Sequence, residues 1–293
     1  MSGQLKEVRN RIKSVQSTQQ ITKAMKMVSA AKLRRAQDAI IQMRPYSQKL
    51  QEMLSNIVSS VSGDVSMPLA EERITERVLM IAVTSDRGLC GAYNANVIKL
   101  TRQVINEKYP EQFKKGNVTI LPIGKKGFEF FTKLGYNVVS DYWNIFSNLS
   151  FESVRGAAVY AQNAFLRKEY DRIELVYSQF RNAATQVFTA EAYLPIPKVE
   201  QKAGAKNVDF IYEPSMDELL LELMPKILNT QVYKAVLDAN ASEHGARMTS
   251  MDKASENAGE ILKALKISYN RARQAAITTE LTEIVSGAAA LQG

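Results

Sequence analysis

The chain has 293 residues, 45% of them hydrophobic and 23% charged, and a formal charge of +8. Of its 38 Lys/Arg and 30 Asp/Glu, nine basic residues and one acid, Glu7, fall within residues 1–35, which leaves 29 of each sign beyond. This composition excludes a disordered chain and a disulfide scaffold, the single Cys90 fits a reducing compartment, and the basic pI belongs to one segment instead of a diffuse nucleic-acid coat.

No apolar run approaches the ~18–20 residues that span a bilayer, and MSGQLKEVRNRIKS has no apolar h-region. Neither a transmembrane helix nor a secretory signal is expected, so any membrane association should be peripheral. Residues 4–60 are predicted helical: Leu5, Val8, Ile12 and Val15 repeat at coiled-coil spacing, and no proline precedes Pro45. The stripe weakens at Gln16–Gln20 and is expected to resume through Ile21, Met25, Val28 and Ala31. Leu50, Met53, Leu54, Ile57, Val58 and Val61 form a second apolar set, ended by Gly63, Asp64 and Pro68.

The texture then changes. RVLMIAVT, VTILPIG, RIELVYS and QVFTAEAYLP are short β-rich runs, and AYNANVIKLTRQVINEKY between the first two has helical spacing. Strands alternating with helices predict an α/β domain with a mostly parallel sheet over 76–200. After Pro225 no proline occurs, and positions 237, 241, 244, 248, 251, 255, 258, 262, 265, 269, 272 and 276 step by alternating four and three. They hold apolar or small residues at most steps, a heptad seam that needs a partner helix. A helix over about 226–288 is roughly 95 Å long, against about 50 Å for the diameter of a compact globule of this size. The expected partner is the N-terminal helix. The predicted fold is therefore a Rossmann-like α/β domain inserted between two long terminal helices that form an antiparallel coiled coil. The expected divisions are an N-terminal helix (1–62), a linker (63–75), the α/β domain (76–200), a connector (201–213) and a C-terminal helix (214–293).

No set of residues assembles a catalytic, cofactor or metal site. The loop Ser85–Gly91 follows a strand, where a phosphate could bind, but it is neither GxGxxG nor GxxxxGK[ST]. Pro122–Gly127 contains Gly-Lys without the remaining motif; tight turns account better for both. His244 is the only histidine and sits on the seam, where packing is the better account than zinc or nucleophile chemistry. Cys90 and Trp143 read as packing residues, and Glu280 with Glu283 as a solvated or partner-facing helix edge. The basic helix is harder to dismiss, because Lys23, Lys26, Lys32, Arg34 and Arg35 lack balancing i+4 acids. It could grip nucleic-acid phosphates, lie on an anionic membrane or face an acidic protein surface. The first aromatic is Tyr46, so stacking on bases has no support and a protein partner is favoured; a nucleic-acid-associated coiled-coil protein stays the alternative.

Ile12–Gln37 (IKSVQSTQQITKAMKMVSAAKLRRAQ) and Tyr269–Ala290 (YNRARQAAITTELTEIVSGAAA) resemble the terminal helices of ATP synthase gamma subunits of the bacterial type. Ile277, Thr278, Glu280, Glu283, Gly287 and Ala288 fall on the family pattern, and SDRGLCGAYN matches in the first α/β turn. The resemblance implies a central rotor shaft that couples rotation of a c-ring to conformational cycling of catalytic beta subunits. Its partners would be three alpha and three beta subunits, the epsilon subunit and the c-ring, with no nucleic acid and with membrane contact only through the c-ring. The expected place is the cytoplasmic side of the cell inner (plasma) membrane, as a peripheral, non-catalytic subunit without cofactor. By the same resemblance, Arg273 and Gln274 would meet the beta catch loops, with Thr278 and Glu280 in the same coupling region. Met25, Lys23, Lys26 and Arg247 would lie near the acidic lever segment of beta, and Phe210, Tyr212 and Glu213 in the foot toward epsilon and the c-ring. The chain lacks the paired cysteines of the chloroplast branch, so no thiol switch is expected.

Overall fold

A computed structural model describes residues 2–60, 68–183, 185–196 and 216–292, with side chains over most of that range. The elements are α1 (Ser2–Ser60), β1 (Val78–Val83), α2 (Tyr93–Lys108), α3 (Pro110–Lys114), β2 (Val118–Ile123), α4 (Lys125–Lys133), β3 (Asn137–Val138), α5 (Phe151–Leu166), β4 (Arg172–Phe180), β5 (Gln186–Leu194) and α6 (Met216–Gln292). They group into two compact units, residues 30–246 and residues 1–29 with 247–293.

In the first unit five strands form one sheet in the order β3-β2-β1-β4-β5. β1, β2, β3 and β4 run parallel, with Val78 opposite both Val118 and Arg172, and β5 closes the edge antiparallel to β4. This is a Rossmann-like order. All six residues of β1 are buried because helices cover both faces, and the side chains alternate between two cores. Val78, Met80 and Ala82 join Val97, Ile105 and Phe131 of α2 and α4. Leu79, Ile81 and Val83 join Val154, Ala158 and Phe165 of α5 and Leu228, Val232 and Val236 of α6. The run 224–246 of α6 is thus part of the α/β unit. Polar contacts fix it there: Gln162 donates to Asn229 Oδ1 at 2.9 Å, Tyr93 Oη to the Ala239 carbonyl at 3.2 Å, and Ser242 Oγ to the Ser178 carbonyl at 3.2 Å. A Cβ on Gly245 would stand 3.2 Å from the Ala183 backbone, so this close approach favours glycine.

The second unit is a two-stranded antiparallel coiled coil. As numbering rises along α1 it falls along α6: Gln19 Nε2 donates to the Ser255 carbonyl at 3.2 Å, Ser255 Oγ to Thr22 Oγ1 at 2.7 Å, and Lys26 pairs with Asp252 at 2.5 Å. On α6 the covered positions 251, 255, 258, 262, 265, 269, 272 and 276 are those the heptad predicts, and the seam extends to Thr279. On α1 the expected resumption is corrected. Ile21 and Val28 are 60% and 57% exposed, and Ala31, in the other unit, is exposed as well. The covered positions after Val15 are Gln19, Thr22, Met25 and Ser29. Helix geometry carries the three-four step onward whatever residues occupy it, and Gln19 and Thr22 face Ser255 and Gly259, where space is small; a Cβ on Gly259 would come within 3.1 Å of Gln19 Nε2. Of the second apolar set, Leu50 is buried and Met53 exposed, while Leu54, Ile57, Val58 and Val61 lie outside the described side chains.

Candidate functional site

The turn Ser85–Gly91 is filled by its own side chains. Asn94 Oδ1 accepts the Ser85 backbone N–H at 2.9 Å, Ser85 Oγ donates to the Arg87 carbonyl at 2.7 Å, and Cys90 is buried beside them. Gly124 at φ +107° leaves no room for a side chain, since a Cβ would lie 2.4 Å from the Thr84 carbonyl oxygen. Thr84 Oγ1 in turn accepts the Gly127 N–H at 2.8 Å. Both glycine-bearing loops are therefore packed βα turns. Trp143 stacks on Phe128 at 5.6 Å and its carbonyl accepts the Gly124 N–H, holding the second turn. His244 is half-buried on α6.

Buried ionisable groups of the α/β unit are held structurally. Glu174, fully buried on β4, accepts Tyr109 Oη at 2.6 Å and Lys108 Nζ at 3.2 Å; burial and this carboxylate push the Tyr109 hydroxyl well above its ordinary value. Asp171 accepts the backbone N–H groups of Glu76 and Arg77 and pins the chain entering β1. Asp238 of α6 is buried, and burial raises its carboxyl to about 6 against the attraction of Lys234 and Arg44. Among the described residues no group of three or more His, Cys, Asp or Glu could hold a metal ion.

The sequence-predicted contact residues fall on the coiled coil. Arg273, Gln274, Thr278 and Glu280 are exposed on the last turns of α6, and Thr278 Oγ1 donates back to the Gln274 carbonyl at 2.9 Å. At about 100° per residue they divide into adjacent stripes. Arg273 and Glu280 share a stripe with Ile277 and Ile284 beside the seam, while Gln274 and Thr278 share one with Leu281 and Val285 on the far side. Apart from Ile277, which falls on the family pattern, the apolar members were not singled out by the sequence: Ile277, Leu281, Ile284 and Val285 are 48% to 67% exposed. Their signal was present, as apolar residues between seam positions. Met27, 72% exposed on α1, joins Ile21 and Val28 as a similar outward group. Scattered apolar exposure is ordinary, but apolar stripes along a helix mark surfaces that another molecule covers.

Met25 lies at the seam, Lys23 is exposed, and Arg247 is buried on α6. Lys26 is compensated across the seam by Asp252, which a search for i+4 acids on its own helix could not reveal. Both partners are about two-fifths exposed, so the pair contributes ~0–1 kcal/mol. Phe210, Tyr212 and Glu213 lie outside the described residues.

These features define a class: an antiparallel coiled coil of the chain termini joined to an inserted Rossmann-like domain, with exposed polar and apolar residues side by side on the last turns of α6. The sequence model of the family described as ATP synthase matches residues 4–291. ATP synthase gamma chains of Cytophaga hutchinsonii and Flavobacterium johnsoniae are 55% and 51% identical over 98% and 99% of this chain, covering 98% and 99% of theirs. That of Chlorobium phaeobacteroides is 49% identical over 99% of both chains. Among solved structures, a chain of the Euglena gracilis mitochondrial ATP synthase (OSCP/F1/c-ring) is similar at a TM-score of 0.70 and 21% identity, covering 99% of this chain and 95% of that one. A chain of the Tetrahymena thermophila central stalk/c-ring gives 0.56 at 23% identity, covering 80% and 99%. The chain belongs to the ATP synthase gamma-chain family. Its role is that of the central rotor stalk in ATP synthesis and ion transport, within a membrane-associated complex. Among the described residues no helix is long and apolar enough to cross a membrane.

Proposed function

We propose that the chain transmits torque without catalysing a reaction: the coiled coil turns inside a ring of three alpha and three beta subunits, and ATP is made and hydrolysed on beta. The opposite end engages the epsilon subunit and a c-ring, which provides the only membrane contact, on the cytoplasmic side of the plasma membrane. The observation that carries this reading is the outward face of the last turns of α6, where polar Arg273, Gln274, Thr278 and Glu280 interleave with exposed Ile277, Leu281, Ile284 and Val285. A surface that must slide cannot be held by desolvated ion pairs, because breaking such a pair costs several kcal/mol. Exposed polar groups between apolar contacts supply grip that is remade at each step. Arg273 and Gln274 meet the beta catch loops, with Thr278 and Glu280 beside them; Met25, Lys23, Lys26 and Arg247 lie near the acidic lever segment of beta; Phe210, Tyr212 and Glu213 belong to the foot.

Reconstitution with alpha and beta tests it. Replacing Arg273 and Gln274 together by Ala should leave assembly intact while proton-driven ATP synthesis falls at least severalfold. Unchanged synthesis by the assembled variant would remove these residues from the coupling path.

A further inference from the structure

The α/β unit carries a second surface, independent of the coupling residues. Between α2 and α4, on the sheet face opposite α5, runs an open groove of about 900 Å³. Its lining follows successive turns of α2 from Asn94 to Glu107 and the length of α4 from Lys126 to Lys133. The floor is apolar, with Ile98 9% exposed and Phe130 half-buried. The rim is cationic: Lys99 and Arg102 rise from α2, Lys126 and Lys133 from α4. Of the two acids of the lining, Glu129 is paired with Lys126 at 2.7 Å, while Glu107 accepts from the neutral amide of Gln103 at 2.9 Å and keeps its charge. Among the described residues Lys99, Arg102 and Lys133 form no ion pair, so three positive charges against the single carboxylate of Glu107 leave the groove net positive above its apolar floor.

We infer that this groove is a docking site for an acidic amphipathic helix of a partner protein. The shape sets the form of the occupant. A trough between two helices takes a third laid along it, with apolar residues one turn apart entering the floor. The lining spans about 20 Å of α2, which accommodates three to four turns. The charge sets its chemistry: carboxylates flanking the apolar stripe meet Lys99, Arg102 and Lys133 from both rims, and a basic helix is repelled. A second copy of this chain is a poor occupant, since its most charged segment, residues 1–35, is itself positive.

Two measurements decide it. In the first, the purified full-length chain is titrated with a 14-residue helical peptide bearing Leu at one-turn spacing flanked by Glu, and with its Glu-to-Lys counterpart. The acidic peptide should bind and the basic one should not. Lys99→Glu/Arg102→Glu/Lys133→Glu should weaken binding roughly tenfold or more, as loss and reversal of three partly exposed charge pairs implies, whereas Lys253→Glu/Lys263→Glu on α6 should not. In the second, Ala95 at the groove is replaced by p-benzoylphenylalanine in the assembled ATP synthase, and the adduct is located by mass spectrometry. An adduct on an acidic helical segment of another subunit supports the assignment. Equal binding of both peptides, indifference to the triple reversal, or an adduct only on lipid, on a basic segment or on nothing overturns it. Coupling activity does not enter either readout, so failure here leaves the rotor reading untouched.

Discussion

At the scale of single residues, the ionisable side chains separate into those that hold the fold and those left exposed to solvent. Glu174 and Asp171 are buried acceptors with short hydrogen bonds, whereas Arg273 and Glu280 point to solvent. Asp238 is the buried acid whose titration is set against the fold. Its carboxyl is raised to about 6 chiefly by burial and also by Glu191, with Lys234, Arg44 and the Phe180 backbone N–H opposing. The folded state therefore holds this proton more tightly than the unfolded chain. The stability it contributes is complete below about pH 4 and is lost as pH rises through about 6. Asp238→Asn should remove that dependence, leaving the variant about 1–3 kcal/mol more stable than the native chain at pH 8 and similar to it at pH 4. Urea denaturation across that range checks the sign. None of this was legible in the sequence, where Asp238 is one acid among several on a long helix.

At the scale of elements, the heptad seam of α6 was readable because apolar and small residues hold it nearly unbroken. On α1 the stripe was readable at Leu5, Val8, Ile12 and Val15 and again at Met25, but not between and beyond them, because Gln19, Thr22 and Ser29 occupy covered positions while Ile21 and Val28 face outward. A hydrophobicity pattern follows the apolar residues, and the geometry follows the helix period. The polar layer has its own consequence. Ser255 Oγ reaches both Thr22 Oγ1 at 2.7 Å and the Met251 carbonyl at 2.8 Å, tying the two helices at one register. Thr22→Val should cost about 0.5–1.5 kcal/mol. With Ser255→Ala added, the double-mutant cycle should return a coupling of similar size, measured by thermal unfolding of the full chain. A vanishing coupling would mean the layer packs without pairing. The sheet was legible in four of its strands, which are β-rich runs of six to nine residues. The two-residue β3 and the placement of α6 residues 224–246 in the α/β core were not, since both depend on what packs against them.

At the scale of the whole molecule, charge is segregated. The first 35 residues carry the entire +8, and Lys23, Lys32, Arg34 and Arg35 stay exposed in the fold while Lys26 finds Asp252. Exposed charge of one sign acts over about 8–10 Å at moderate ionic strength and mainly accelerates encounter. Lys23→Glu/Lys32→Glu should slow association with the alpha–beta ring about tenfold at 50 mM salt, and much less at 300 mM. Stopped-flow association at both salts checks this; equal slowing would point to a short-range contact instead. Family membership, not the charge itself, displaces the nucleic-acid reading of this segment.

The sequence by itself determined the class: a heptad period and alternating β-rich runs are local regularities, and the motifs at the two ends identified the family from residue types in order. The tertiary structure decided which side chains are spoken for. It paired Lys26 with Asp252, turned Ile21 and Val28 outward, closed the glycine turns on Thr84, and left Ile277 to Val285 and the rim of the α2–α4 groove uncovered. Those outcomes depend on residues far apart in the chain meeting or failing to meet, and no local pattern encodes that distance.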